Sequence, residues 1–116
     1  MLSNPNVVNI EVSTAPSLPA GLQLGAGIGP AGSPASTMPV IKWNNYTYLA
    51  CSYLDNRMAF AVVAYDPKGN VAKQWEVNGP RYIWNITVDD ENSAVIFFGQ
   101  SSDFASMTWD QLRLPS

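Results

Sequence analysis

The chain has 116 residues, a formal net charge of -3 and no histidine; apolar residues make up 47% of it and charged residues 13%. That length suits one domain with one core, and so apolar and weakly charged a composition does not suit a disordered chain. The acidic balance argues against non-specific attraction to nucleic acid or anionic lipid, and the missing imidazole excludes Ser-His-Asp and Cys-His catalysis and histidine-ligated metal sites.

Composition divides the chain near residue 41. Residues 1–40 carry one charge, Glu11, no aromatic residue and six of the nine prolines. They read as a Pro/Gly-rich arm, and residues 41–116 read as an antiparallel β domain. The opening Met1-Leu2-Ser3-Asn4-Pro5 lacks the basic and apolar regions of a signal peptide. No window reaches the roughly 18 consecutive apolar residues of a membrane helix. Insertion into a membrane is therefore not expected, and the compartment stays open.

Within the arm, VVNIEVS (7–13) alternates Val8, Ile10 and Val12 against Val7, Asn9, Glu11 and Ser13, which predicts a strand with one buried face. From Pro16 onward, proline and glycine interrupt any helix every few residues. Leu18, Leu22, Leu24 and Ile28 make the segment too apolar for a free linker, so it should pack over its own sheet or a neighbour's. GIGPAG (27–32) has the G-x-G-x-x-G spacing of a dinucleotide loop. However, Ser33-Pro34 follows where such a loop must open a helix, so no nucleotide cofactor is expected.

The remainder reads as strands joined by short turns. IKWNNYTYLACSYL (41–54) predicts a strand ending at a two-residue turn, Asp55-Asn56. MAFAVVAYD (58–66) is apolar at both parities, as a strand covered on both faces must be. Asp66-Pro67-Lys68-Gly69 has the residues of a type I turn. VAKQWEV (71–77) sets Val71, Trp75 and Val77 on one face. RYIWNITVD (81–89) sets Tyr82, Trp84, Ile86 and Val88 on the core face, against Arg81, Ile83, Asn85 and Thr87. AVIFFG (94–99) and SMTWDQL (106–112) complete the set, with at most one helical turn at Trp109–Leu112. The fold class is all-β: an antiparallel meander forming a small sandwich, barrel or propeller-blade-like sheet.

Three stretches, YDPKGN (65–70), GPRYIWNITVD (79–89) and FGQ (97–99) leading to TWDQL (108–112), give residues 60–112 a resemblance to a β-propeller-type repeat unit. The resemblance implies a lectin-like blade, with Tyr-Asp-x-x-Gly joining two blade strands. Since a propeller needs several blades and no second copy is present, it also implies assembly of several chains. A self-contained sandwich or barrel sharing only the turn chemistry is the alternative.

Candidate binding residues follow from parity. Trp43 shares its parity with Asn45 and Thr47, and an aromatic ring beside amides and hydroxyls suits a sugar, whose apolar face stacks while its hydroxyls hydrogen-bond. Arg81, Asn85 and Thr87 extend the same chemistry, so all six are expected to share a polar sheet face. Trp75 and Trp84 are expected in the core. Asn45-Tyr46-Thr47 and Asn85-Ile86-Thr87 also match the N-glycosylation pattern, but both asparagines fall in expected strands. Asp89-Asp90-Glu91-Asn92 lacks the spacing and glycine of a calcium loop and reads as a solvated turn. No metal is expected. Asp66 and Asp110 are a candidate carboxylate pair for hydrolysis, with turn and terminus chemistry as the alternative, and Cys51, the single cysteine, is either a buried hydrophobe or an intermolecular link. The expectation is a non-enzymatic binding module for carbohydrate or cell-surface recognition, acting as an oligomer. The alternatives are an assembly subunit whose arm packs on a neighbouring protomer, and a carboxylate-based hydrolase.

Overall fold

The structure, a computed structural model, describes residues 4–24 and 36–115; the GIGPAG stretch lies outside the described residues. The fold is all-β. The strands are β1 (Asn6–Glu11), β2 (Leu22–Leu24), β3 (Thr37–Trp43), β4 (Tyr46–Tyr53), β5 (Ala59–Tyr65), β6 (Val71–Asn78), β7 (Ile83–Asp89), β8 (Ala94–Gly99) and β9 (Phe104–Thr108). One helical turn, α1 (Trp109–Leu112), follows. The first sheet runs β1-β3-β4-β5-β6, with β2 pairing the far end of β4. The second runs β7-β8-β9, and every pairing is antiparallel. Residues 60–112, which resemble a propeller repeat in sequence, contribute strands to both sheets. The compositional break at residue 40 falls inside β3.

Apolar residues at both parities of β5 dictate the architecture, because a strand buried along its whole length needs a cover on each face. On the inner face Phe60, Val62 and Ala64 join Ile41, Trp43, Tyr48 and Ala50 and pack against Ile83, Ile86, Val95, Phe97 and Met107 of the second sheet. On the opposite face Ala61, Val63 and Tyr65 join Met38, Val40, Leu49 and Cys51. The cover there comes from the arm, through Ile10, Ala15, Leu18 and Leu22. The Tyr65 hydroxyl ties the two together, donating to the Ser17 carbonyl at 2.8 Å. The described part of the arm therefore packs on its own chain.

Four expectations about individual strands are corrected. Residues 41–54 are not one strand. Asn44 and Asn45 adopt φ of 52° and 70°, and Trp43 pairs with Tyr46, so the chain reverses through a two-residue turn of the left-handed kind that asparagine tolerates. β1 does not bury one face. As an edge strand between two covers, it sends Val7 to the inner core and Ile10 to the arm-covered one, while Val8 stays exposed. In β6 a register shift pairs Val71 with Tyr65 but Lys73 with Ala64, so Val71 leaves the face of Trp75 and Val77. A second shift between Ile83 and Asn85 buries Ile83 and leaves Trp84 half-buried, where Trp84 was expected in the core.

The chain end completes the inner core. Thr108 caps α1: Gln111 N–H donates to its hydroxyl at 3.2 Å, while the Gln111 side chain accepts from Thr108 N–H at 2.8 Å. This seats Trp109 against Trp43, with ring centroids 5.0 Å apart, and buries Leu112 completely. The Tyr48 hydroxyl then donates to the Leu112 carbonyl at 2.7 Å. Thr108→Ala removes the cap and is expected to lower stability by about 1 kcal/mol in urea denaturation, with the transition remaining cooperative.

Candidate functional site: a polar cleft at the open end of the arm-covered face

Register places one transverse row across the first sheet. Asn6 pairs with Lys42, Lys42 with Thr47, and Thr47 with Tyr65. Successive residues of a strand alternate between faces, so this row shares its face with Val8, Val40, Leu49 and Val63 two residues along each strand. Val40, Leu49 and Val63 belong to the covered apolar core, whereas the last row is polar. There the arm no longer seals the sheet, and a cleft of about 640 Å³ opens. The row is its floor. Thr14 and Pro16 of the arm form one wall. The Asn44-Asn45 turn, Asn4 and the Asp66–Gly69 turn border the rest.

Both turns are fixed by local chemistry. One Asp66 carboxylate oxygen accepts from the amides of Lys68 and Asn70, each at 2.9 Å, and the Asp66 carbonyl accepts from Gly69 N–H at 3.0 Å. Gly69 takes a φ of 86° that a larger residue resists. Asn44 is buried under the β3–β4 turn, while Asn45 is exposed at its tip.

Of the six residues singled out by sequence, three come together here: Trp43, Asn45 and Thr47 all contribute to the walls. Trp43 does so differently from expectation. Its ring is only 5% exposed, enclosed by Tyr48 and Trp109 with the Arg113 guanidinium 5.3 Å from its centroid, so it offers no open stacking face. The cause is the Asn44-Asn45 turn. It breaks the strand on which Trp43, Asn45 and Thr47 shared a parity, leaving Trp43 on the inner face and Thr47 on the other.

Arg81, Asn85 and Thr87 do not join them, because they lie in or beside the second sheet. The Arg81 side chain reaches Asn56 at 3.3 Å and stands 5.4 Å from the Tyr82 ring centroid. Asn85 and Thr87 are exposed on the outward face of β7, paired with Phe98 and Ile96, and the Asn85 side chain accepts from the Ile86 amide at 3.0 Å. The polar face expected to unite all six is thus split between two sheets. Asn6, Lys42 and Tyr65 join the cleft although nothing in the sequence alone singles them out, and Asp66, a candidate only for hydrolysis, borders it too. Their signal is the polar residue closing each apolar alternation (Lys42 after Met38 and Val40, Asn6 before Val8 and Ile10), but only the register shows that these ends align.

The chemistry on offer is hydrogen bonding. Burial pushes the Tyr65 hydroxyl up to about 12, so at neutral pH it keeps the proton that it donates to the Ser17 carbonyl and offers the cleft an acceptor oxygen. Burial likewise pushes the Cys51 thiol up to about 12, which leaves it far from the thiolate form that a nucleophile needs. Asp110 is not in the cleft wall; it pairs with Arg113 at 3.2 Å, well apart in the chain from the Asp66 turn. Asp89 accepts from the side chain of Asn92 at 2.8 Å, and no group of three or more acidic or thiol side chains is placed to hold a metal among the described residues. No helix among them is long and apolar enough to cross a membrane.

No family model, curated protein or solved structure matches the chain.

Proposed function

We propose that this protein is a non-enzymatic binding module whose cleft takes a carbohydrate. The observation that carries the reading is the polar row Asn6–Lys42–Thr47–Tyr65, set as the floor of a ligand-sized cleft and rimmed by asparagine amides. Sugar hydroxyls need donors and acceptors in close alternation, and amides and hydroxyls supply both on single side chains. The volume is in the range of small-molecule sites. Such sites bind weakly one at a time, so presentation on an oligomer would strengthen retention on a surface.

Asn45→Gly separates binding from folding. Glycine takes the left-handed turn conformation more readily than asparagine, so the melting temperature should hold or rise. The lost amide should weaken retention of a bound glycan about five- to tenfold, the worth of one or two hydrogen bonds. A glycan array probed with both proteins makes the comparison. Unchanged retention by Asn45→Gly would count against the cleft as the site.

A second reading, an assembly subunit, is favoured by a different observation. Phe98 and Phe104 are paired across β8 and β9 on the outward face of the second sheet, with ring centroids 6.1 Å apart and exposures of 36% and 59%. Exposed aromatic pairs of this kind belong to contact surfaces. If assembly is the role, Phe104→Lys should dissociate an oligomer seen by light scattering, whatever sugar is present.

A further inference from the structure

We infer that the cleft selects an acidic sugar, one carrying a carboxylate or a sulfate ester, and that Lys42 is the residue that selects it. The inference rests on the carbohydrate reading above and adds the class of sugar. It starts from the whole set of positive charges. Arg57 bridges Asp55 and Glu76 at 2.6 and 2.7 Å. Arg113 bridges Asp110 and covers Trp43, Arg81 faces the Tyr82 ring, and the Lys73 ammonium stands 5.1 Å from the centroid of Trp75. Four of the six basic side chains are thereby committed to carboxylates or aromatic faces.

Lys42 and Lys68 are the remaining two, and neither has an ion pair or ring contact among the described residues. Of the two, Lys42 lines the cleft. Lys42 is exposed in the middle of its floor, between Asn6 and Thr47. Lys68 lies in the turn between Pro67 and Gly69, which both line the wall. Among the described residues Asp66 is the only acidic one in the lining, and one of its oxygens already accepts two turn amides. In a chain of net charge -3, which as a whole repels anions, the Lys42 ammonium is a local positive charge on the cleft floor, set against the single carboxylate of Asp66 in the lining. A neutral sugar would use only the N–H donors of an ammonium in the floor, whereas an anion on the sugar would use its charge as well. Lysine acts as a point charge without the fork geometry of arginine, so carboxylate and sulfate are both admitted, with Asn6 and Thr47 on either side to bond the adjacent hydroxyls.

The test is a printed array of matched glycans, each present in carboxylated, sulfated and neutral form, probed with the wild-type chain, Lys42→Gln and Lys42→Arg. Wild type should be retained on acidic members over neutral ones by about tenfold. Lys42→Gln should lose that preference with its melting temperature unchanged, because the side chain is exposed, and Lys42→Arg should keep it. Raising salt from about 50 to about 500 mM should weaken wild-type retention but not that of Lys42→Gln. Whichever acidic form is held identifies the source of the anion. Equal retention of acidic and neutral forms, or a preference that survives Lys42→Gln, overturns the assignment and leaves the carbohydrate reading standing. Retention of no glycan at all overturns both.

Discussion

Gly99→Ala is expected to destabilise the protein by about 3 kcal/mol or more, a large part of what a domain of this size commands. A Cβ at Gly99 would fall onto the Tyr82 carbonyl oxygen and against the ring of Pro80. Neither neighbour can yield cheaply. The carbonyl is held where it is by Gln100 N–H at 3.1 Å, and Pro80 is buried. Gly99 itself is fixed by donating to Asp103 at 3.0 Å and by pairing with Ile83 at the start of β7. The backbone conformation at Gly99 is extended and open to any residue, so the cost is steric. Gly69→Ala is the contrast: its Cβ would meet open space, and the only cost is a φ of 86°, about 1 kcal/mol. Urea denaturation of both variants gives the comparison. Equal costs would mean that the close approach of β8 to the Tyr82 carbonyl is not rigid.

Alkaline pH should unfold the protein through three buried acids. Burial is the first cause in each case: it pushes the Tyr48 and Tyr65 hydroxyls and the Cys51 thiol up to about 12. Both hydroxyls donate to carbonyl oxygens, Tyr48 to Leu112 and Tyr65 to Ser17, so losing either proton would set two oxygens against each other. A group with a raised folded-state value keeps its proton in the native state while the unfolded chain has already lost it. Its stabilisation is complete below the unfolded value and disappears as pH rises through the folded one. Loss should begin near pH 9 with the thiol, steepen above about pH 10 with the phenols, and exceed about 5 kcal/mol by pH 12. Urea denaturation at stepped pH reads this directly. Cys51→Ala should remove the earliest part of the slope and Tyr48→Phe part of the later one. Stability unchanged between pH 8 and pH 11 would contradict these assignments.

Much of the fold is legible in the sequence where local chemistry and burial agree. The apolar run of β5 demands two covers, and the arm and the second sheet supply them. Asp66-Pro67-Lys68-Gly69 turns as its residues dictate, and Trp109–Leu112 forms its single helical turn. The misreadings come from positions where one residue changes the parity of a strand. Asparagine at both Asn44 and Asn45 signals a turn only to a reader who gives its tolerance of positive φ more weight than the aromatic and β-branched residues around it. The register shifts at Val71 and Trp84 leave no mark in composition, because a bulge is set by how two strands meet. The cleft illustrates both sides. Asn45 and Thr47 line it, Trp43 turns inward, and Asn6 and Lys42 become visible only when pairing aligns residues 36 positions apart in the chain.

The most direct test of the polar cleft as a binding site is an amide NMR titration of the uniformly labelled chain with acidic and neutral oligosaccharides, carried to ~10 mM to reach weak sites. Binding in the cleft should shift the amides of Asn6, Lys42, Asn45, Thr47 and Tyr65 together and leave Asn85, Phe98 and Phe104 on the second sheet unmoved. Shifts confined to that outward face, or no saturable shift with any sugar, would contradict it.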